Sequence, residues 1–539
     1  TSKCTVRSGG YVKLTTNGNY TLTRSFDGVM IDASSATLQI GDKNSPTLTI
    51  DGTNRAYSLI YASTLYLYNV QMYGNAASSP VATKGPSFGG CAIVGELYMY
   101  DGTVISGFYS ADTARGGGAI FGKDRATMYI YGGTIRSNKA AGYGGGIYIR
   151  NGYLYMSGNA LICGNSAAAG GGAAGIIDLV MADNAQIYNN NASYDAGGVL
   201  ISRIATASDN AMIYGNTAGK NGGGIYFTNS KCYIEGISLS NNRAANGGGI
   251  YLSTSSSSVL TLTNCKITGN TATANGGGIY ANNISLALNS TTISGNSAVN
   301  GAGVYFADST GNATLDVQCT ISNNNASGDY GGGIYFANGK LVIKNSAIVN
   351  GNNASNGGGI YIASGTATMN DGNISGNGAG NAGGGIYVGS SGTLNMNGGT
   401  ITGNNVLDNG GDEYGGGIYS EGTLNIYIGT ISSNTAWEGS GIYVGSGTLS
   451  ISGTAKIDGN GNNNCGTGGG VNIESGTMTM TSGTISNNTG NPGGGIYCAG
   501  GTVKIQGGTI SGNKAIGNGG GIYIATNGSL TMTGGTISG

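Results

Sequence analysis

The sequence predicts an all-β chain wound as a right-handed parallel β-helix, with three short strands in each coil. Three observations carry this. A glycine-rich element recurs along most of the 539 residues, apolar residues alternate inside each recurrence, and no window shows the 3.6-residue apolar period of a helix.

The recurrence is plainest from Gly383, in GGGIYVGSSGTLNMNGGTITGNN, and it returns at Gly415, Gly493 and Gly519. The residue after the glycine element falls at positions 92, 119, 147, 173, 199, 225, 250, 279, 304, 334, 360, 386, 418, 442, 471, 496 and 522. That makes 17 units, spaced by 24 to 32 residues and mostly near 26. In one unit Ile386 and Val388 form the first segment, Leu394 and Met396 the second, and Ile401 opens a third that ends at Asn404. Period two marks strands that turn one face to a core. Gly, Asn and Ser separate the segments, and these residues accept the positive φ of tight corners. A single coil buries too few side chains to offset the entropy of ordering it, so stability has to come from stacking. The right hand follows from the preference of parallel crossovers.

Residues 1–88 repeat less cleanly, although Leu48-Thr49-Ile50 and Leu65-Tyr66-Leu67-Tyr68 alternate. They read as irregular N-terminal coils or a cap ahead of the regular array at 89–539. The chain stops inside the motif, at Ile537-Ser538-Gly539. The array is therefore expected to be uncapped there, through truncation or because another subunit continues the stack.

Composition narrows the function. Charged residues make up 9% of the chain and the net charge is −1, with no basic stripe, so nucleic acid is not an expected partner. Histidine is absent, which removes the commonest general base and the commonest metal ligand. Eight cysteines without a CxxC pair make neither a disulfide framework nor a zinc site. Cys265 and Cys319, two units apart in this register, stand too far apart to bridge. No metal and no cofactor are expected. No apolar run approaches the about 20 residues that span a bilayer, so a membrane enters only through an anchor outside this chain.

Two short elements carry a resemblance. Gly-Gly-x-Ile and Ile-x-x-Asn resemble the paired repeats of the chlamydial polymorphic outer-membrane proteins. The longer form, GGGIY followed by GTLxMxGGTISGN, looks like the adhesin-like β-helix repeats of gut bacteria and methanogenic archaea. The likeness covers about residues 89–539. It implies a secreted or surface-anchored passenger with a role in adhesion or envelope structure, attached by a barrel or wall anchor that this sequence lacks.

Four groups of residues are candidate sites. The tyrosine after the first inward Ile or Val recurs as Tyr226, Tyr251, Tyr280, Tyr305, Tyr335, Tyr361, Tyr387, Tyr419 and Tyr443. Parity points it outward, in a stripe of rings about 4.8 Å apart. It is either a ladder that stiffens the sheet or a contact surface for glycans or a partner. The asparagines closing the third segment form a column: Asn216, Asn270, Asn296, Asn324, Asn377, Asn404, Asn434, Asn460, Asn488 and Asn513. Their expected role is structural, satisfying backbone groups at a corner. Asn-x-Ser/Thr sequons at Asn19, Asn191, Asn283, Asn289, Asn312, Asn325, Asn353, Asn373, Asn487 and Asn527 are candidate glycosylation positions. The longest insertion holds Asp408, Asp412, Glu413 and Tyr414, the nearest approach to an acid cluster. It reads as a solvated loop, because a glycosidase needs two carboxyl groups converging across a substrate. Trp437, the one tryptophan, reads as loop packing.

The expected function is an extracellular or cell-surface structural or adhesive rod without catalysis, binding a host or environmental glycan or protein. Two alternatives share the fold. One is a fibre subunit associating end to end or laterally through exposed strand edges. The other is a polysaccharide-acting enzyme or a tail-spike-like protein, for which no catalytic residues are assigned.

Overall fold

Ile386, Val388, Leu394 and Met396 lie on one bent strand, Ile386–Met396, and all four are fully buried. The chain turns at Asn397–Gly399 into a second strand, Thr400–Thr402, whose Ile401 is also fully buried. In the next coil the same residues return in register, Ile386 beside Ile418, Leu394 beside Leu424, and Ile401 beside Ile431, all in parallel. At these positions like packs on like, although Leu394 also meets the smaller Ala367 of the preceding coil and Val388 meets Ser420 of the next. Among the described residues the fold is a parallel β-solenoid (a β-helix) of about 19 turns, all-β and without a helix.

This computed structural model describes residues 3–26, 28–52, 57–74, 90–114, 116–228, 232–253, 259–407 and 413–539. The chain divides into two compact units, Thr1–Thr254 with Asn264–Asn270, and Ser255–Thr263 with Thr271–Gly539. In the first unit Ile31–Ile40, Ile60–Leu67, Ala92–Met99, Ile120–Ile130, Ile147–Met156, Ala173–Met181 and Val199–Ala207 pair in succession. The described residues before position 75 thus stack in the same ladder as the regular repeats. One register differs from the sequence reading: Ile120, not residue 119, aligns with Ala92 and Ile147. Ala119 stands where other coils have their third glycine.

Many coils also carry a further short strand, after the third segment, that the three-segment reading lacks. It is mostly two residues long, as in Asn405–Val406, Ser297–Ala298 and Asn325–Ala326. Its second residue turns inward, so that Ala379, Val406 and Ala436 form a small apolar cluster of their own. Two residues are too few for alternation to register.

The glycine element has two distinct reasons. Gly383 adopts φ +68°, and a Cβ there would stand 2.6 Å from the Ile386 carbonyl oxygen. Gly384 and Gly385 need glycine because coils touch. Their N–H groups donate to the carbonyls of Gly415 and Gly416 in the next coil, at 3.2 and 3.1 Å. A Cβ on Gly384 would meet the Asn405 oxygen at 2.5 Å and the Gly416 oxygen at 2.6 Å.

Candidate functional site

The asparagine column is a buried hydrogen-bond chain. Asn377 donates twice to Asn404 Oδ1, from its backbone N–H at 3.0 Å and from Nδ2 at 2.9 Å, and its Nδ2 also reaches the Val349 carbonyl at 2.9 Å. Asn404 repeats this toward Asn434 Oδ1 and the Ile374 carbonyl. In the second unit the backbone N–H to Oδ1 chain runs from Asn296 through Asn324, Asn352, Asn377, Asn404, Asn434, Asn460 and Asn488 to Asn513. In the first unit it runs through Asn138, Asn165, Asn190, Asn216, Asn242 and Asn270. All of these are buried, so each amide answers a corner's backbone donors and acceptors that water cannot reach. Asn138, Asn165, Asn190, Asn242 and Asn352 were missed from sequence; each stands three residues after a buried Ile, Leu or Val, and that spacing was their signal.

The tyrosine positions do form ladders. In the second unit Tyr280, Tyr305, Tyr335, Tyr361, Tyr387, Tyr419 and Tyr443 stack with ring centroids 5.1, 4.8, 5.6, 4.7, 4.6 and 5.3 Å apart. In the first unit Tyr226 and Tyr251 stack at 5.0 Å. The rings are half-buried rather than open, and Tyr443, still stacked on Tyr419, is covered to 6% exposure. Loop tyrosines explain this: Tyr330 tilts over Tyr361 at 4.5 Å and Tyr414 over Tyr443 at 4.6 Å. Within a stack both π-faces of a ring are occupied by its neighbours, so a ligand meets ring edges and hydroxyls there. The ladder lapses at Asn472, which is buried and donates from Nδ2 to Thr467 Oγ1 at 2.7 Å and to Glu438 Oε2 at 3.2 Å.

A further ladder lies on the second segment of the first unit. Tyr66, Tyr98, Tyr129 and Tyr155 stack at 4.6, 5.0 and 5.1 Å. Sequence reading saw Tyr66 only as part of an alternating strand; its recurrence 32 residues later at Tyr98 was the available signal.

Burial raises the pKa of Tyr305, Tyr361, Tyr387 and Tyr419, with neighbouring tyrosines and, for the last three, Glu421 adding to it; Tyr305 is pushed up to about 12. Folded rings thus hold their protons to higher pH than the unfolded chain, whose tyrosines titrate near 10. The stability linked to them is intact below about pH 10 and is lost as pH rises from there through about 12. A titration following tyrosinate absorbance should show a delayed class of tyrosines that joins the ordinary class once the chain is unfolded in urea.

The remaining candidates scatter. Asp408 and Asp412 lie outside the described residues. Glu413 is 6% exposed, so this part of the insertion is packed rather than solvated, with Tyr414 seated on the stripe. Trp437 is 54% exposed, its ring lying against Gly466. Of the sequons, Asn191, Asn325 and Asn353 stand exposed on the further short strand of their coils, and Asn19, Asn312, Asn487 and Asn527 are exposed elsewhere. Asn283, Asn289 and Asn373 are half-buried. Cys265 and Cys319 are buried, and burial pushes the Cys319 thiol up to about 12. Among the described residues no three Cys, Asp or Glu side chains gather as a metal site would need, and no helix is long and apolar enough to cross a membrane.

A concavity of mixed polar and apolar character lies in the first unit, beside the stripe. A groove of about 620 Å³ is lined by Tyr143, Tyr194, Asp195, Leu200, Lys220 and Tyr226, among others. Lys220 Nζ lies 4.9 Å over the Tyr194 ring, and Asp195 Oδ1 accepts from Asn221 Nδ2 at 2.9 Å. No protein-family model matches the chain, and searches of curated proteins and of solved structures return no match.

Proposed function

We propose that the chain is an extracellular or cell-surface scaffold whose side presents an adhesive surface to a glycan or protein, and that it works without catalysis. One observation carries the reading: what faces outward is repeated from coil to coil, Tyr over Tyr from Tyr280 to Tyr443, whereas catalysis needs a constellation of unlike groups at one place. Low charge and a side surface rich in Asn, Ser, Thr and Tyr suit contact with uncharged hydroxylated partners. The motif likeness to polymorphic outer-membrane and adhesin-like repeats supports placing it at an envelope.

The test is co-sedimentation of the purified chain with bacterial and animal cells and with insoluble polysaccharides, with reducing ends assayed in the supernatant. Retention on one or more of these surfaces, with no increase in reducing ends, is the expected result. Accumulating reducing ends would make it an enzyme, and absence of retention on every surface would remove the adhesive part.

A further inference from the structure

We propose that the groove beside Tyr226, where the tyrosine stripe of the first unit breaks off, is an oligosaccharide-binding site. The proposal rests on the adhesive reading above and gives it a location. A pyranose binds an aromatic ring through the ring's flat face, because its own faces carry C–H groups and its hydroxyls lie around the edge. Inside a stack those faces are covered. They come free only where the stack ends.

Tyr226 is such an end. One face lies on Tyr251 at 5.0 Å, while the stripe position of the preceding coil is Leu200, aligned directly with Tyr226. The groove of about 620 Å³ opens over these two residues. Its walls supply two more exposed rings, Tyr143 at 41% and Tyr194 at 52%. Both come from the corner just before the glycine element, and exposed aromatic rings lining one concave site mark recognition more often than packing.

The polar groups fit the same ligand. Asp195 offers a carboxylate that hydroxyls can donate to, steadied by Asn221 Nδ2 at 2.9 Å. Lys220 offers an ammonium donor held over Tyr194 at 4.9 Å. An acceptor, a donor and apolar ring faces within one groove match the alternation of hydroxyl edge and C–H face in a neutral sugar. A peptide adding as a strand would need an open sheet edge, yet Val199–Ala207 is paired on both sides, to Ala173–Met181 and to Ile225–Phe227.

Titration calorimetry of the full chain with cellohexaose, mannohexaose and chitohexaose tests this. At least one should bind. Tyr194→Ala should weaken that binding about tenfold, the worth of one aromatic contact. Leu200→Tyr should extend the ladder over Tyr226, fill the groove and abolish binding while leaving the melting temperature unchanged or higher. Tyr98→Ser, inside the second-segment ladder of the first unit and away from the groove, should lower the melting temperature and leave affinity unchanged, which separates a binding loss from a folding loss. The proposal is overturned if none of the three sugars binds, or if binding survives both Tyr194→Ala and Leu200→Tyr undiminished. Retention on cells by the Leu200→Tyr chain would then keep the adhesive reading standing without this site.

Discussion

Asn404→Ala is expected to destabilise the second unit by about 3–5 kcal/mol, far more than its small change in volume suggests. The side chain removed is the acceptor for two donors of Asn377 and the donor to the Ile374 carbonyl and to Asn434 Oδ1. All of these groups lie where water does not reach, and each group left without a partner costs about 1–3 kcal/mol. Asn404→Asp isolates the donor half. It keeps an acceptor for Asn377 but sets a carboxylate against the Asn434 amide oxygen and the Ile374 carbonyl. Burial without a cation raises that carboxyl's pKa in the folded state. The variant is therefore most stable below about pH 4, the unfolded value, and loses stability as pH rises from there through its folded pKa. Urea unfolding followed by circular dichroism reads both variants. A midpoint for Asn404→Ala within error of the parent would show that the column is dispensable.

Gly384→Ala is the second large effect, roughly 3 kcal/mol or more, because the added methyl is wedged between two backbones. Its Cβ would lie 2.5 Å from the Asn405 oxygen and 2.6 Å from the Gly416 oxygen, neither of which can swing aside as a side chain could. Gly403→Ala is the matched control. Gly403 has φ +62° and nothing within 4 Å of its Cβ, so alanine there costs only the about 1–2 kcal/mol of a left-handed backbone. If the two variants melt together, backbone freedom rather than coil-to-coil contact is what the glycines supply.

The sequence made legible whatever repeats with a long enough signature. Alternation at Ile386, Val388, Leu394 and Met396 announced strands and their inward face, and the glycine element aligned the coils to the register seen in Ile386 beside Ile418. What escaped was short or off-period. Asn405–Val406 is too brief for alternation to show, and Ala119 in place of a third glycine shifted one register by a residue. Parity placed Tyr443 outward but could not foresee Tyr414, on an insertion of unique length, folding over it. The groove was the least legible feature. Its rings come from corners whose lengths vary, and its cause is a leucine at position 200, which in sequence looks only like a missed tyrosine.

Because Ile meets Ile and Asn meets Asn at the fixed positions of successive coils, neighbouring coils of the second unit share one packing register even where Val388 meets Ser420 or Leu394 meets Ala367. Such coils are interchangeable. A gene encoding them can gain or lose whole repeats by unequal recombination, and each new junction still joins matching faces. Array length is then a variable that selection can adjust in single-coil steps, without redesigning a core, while a site made by one exceptional coil is carried along unchanged.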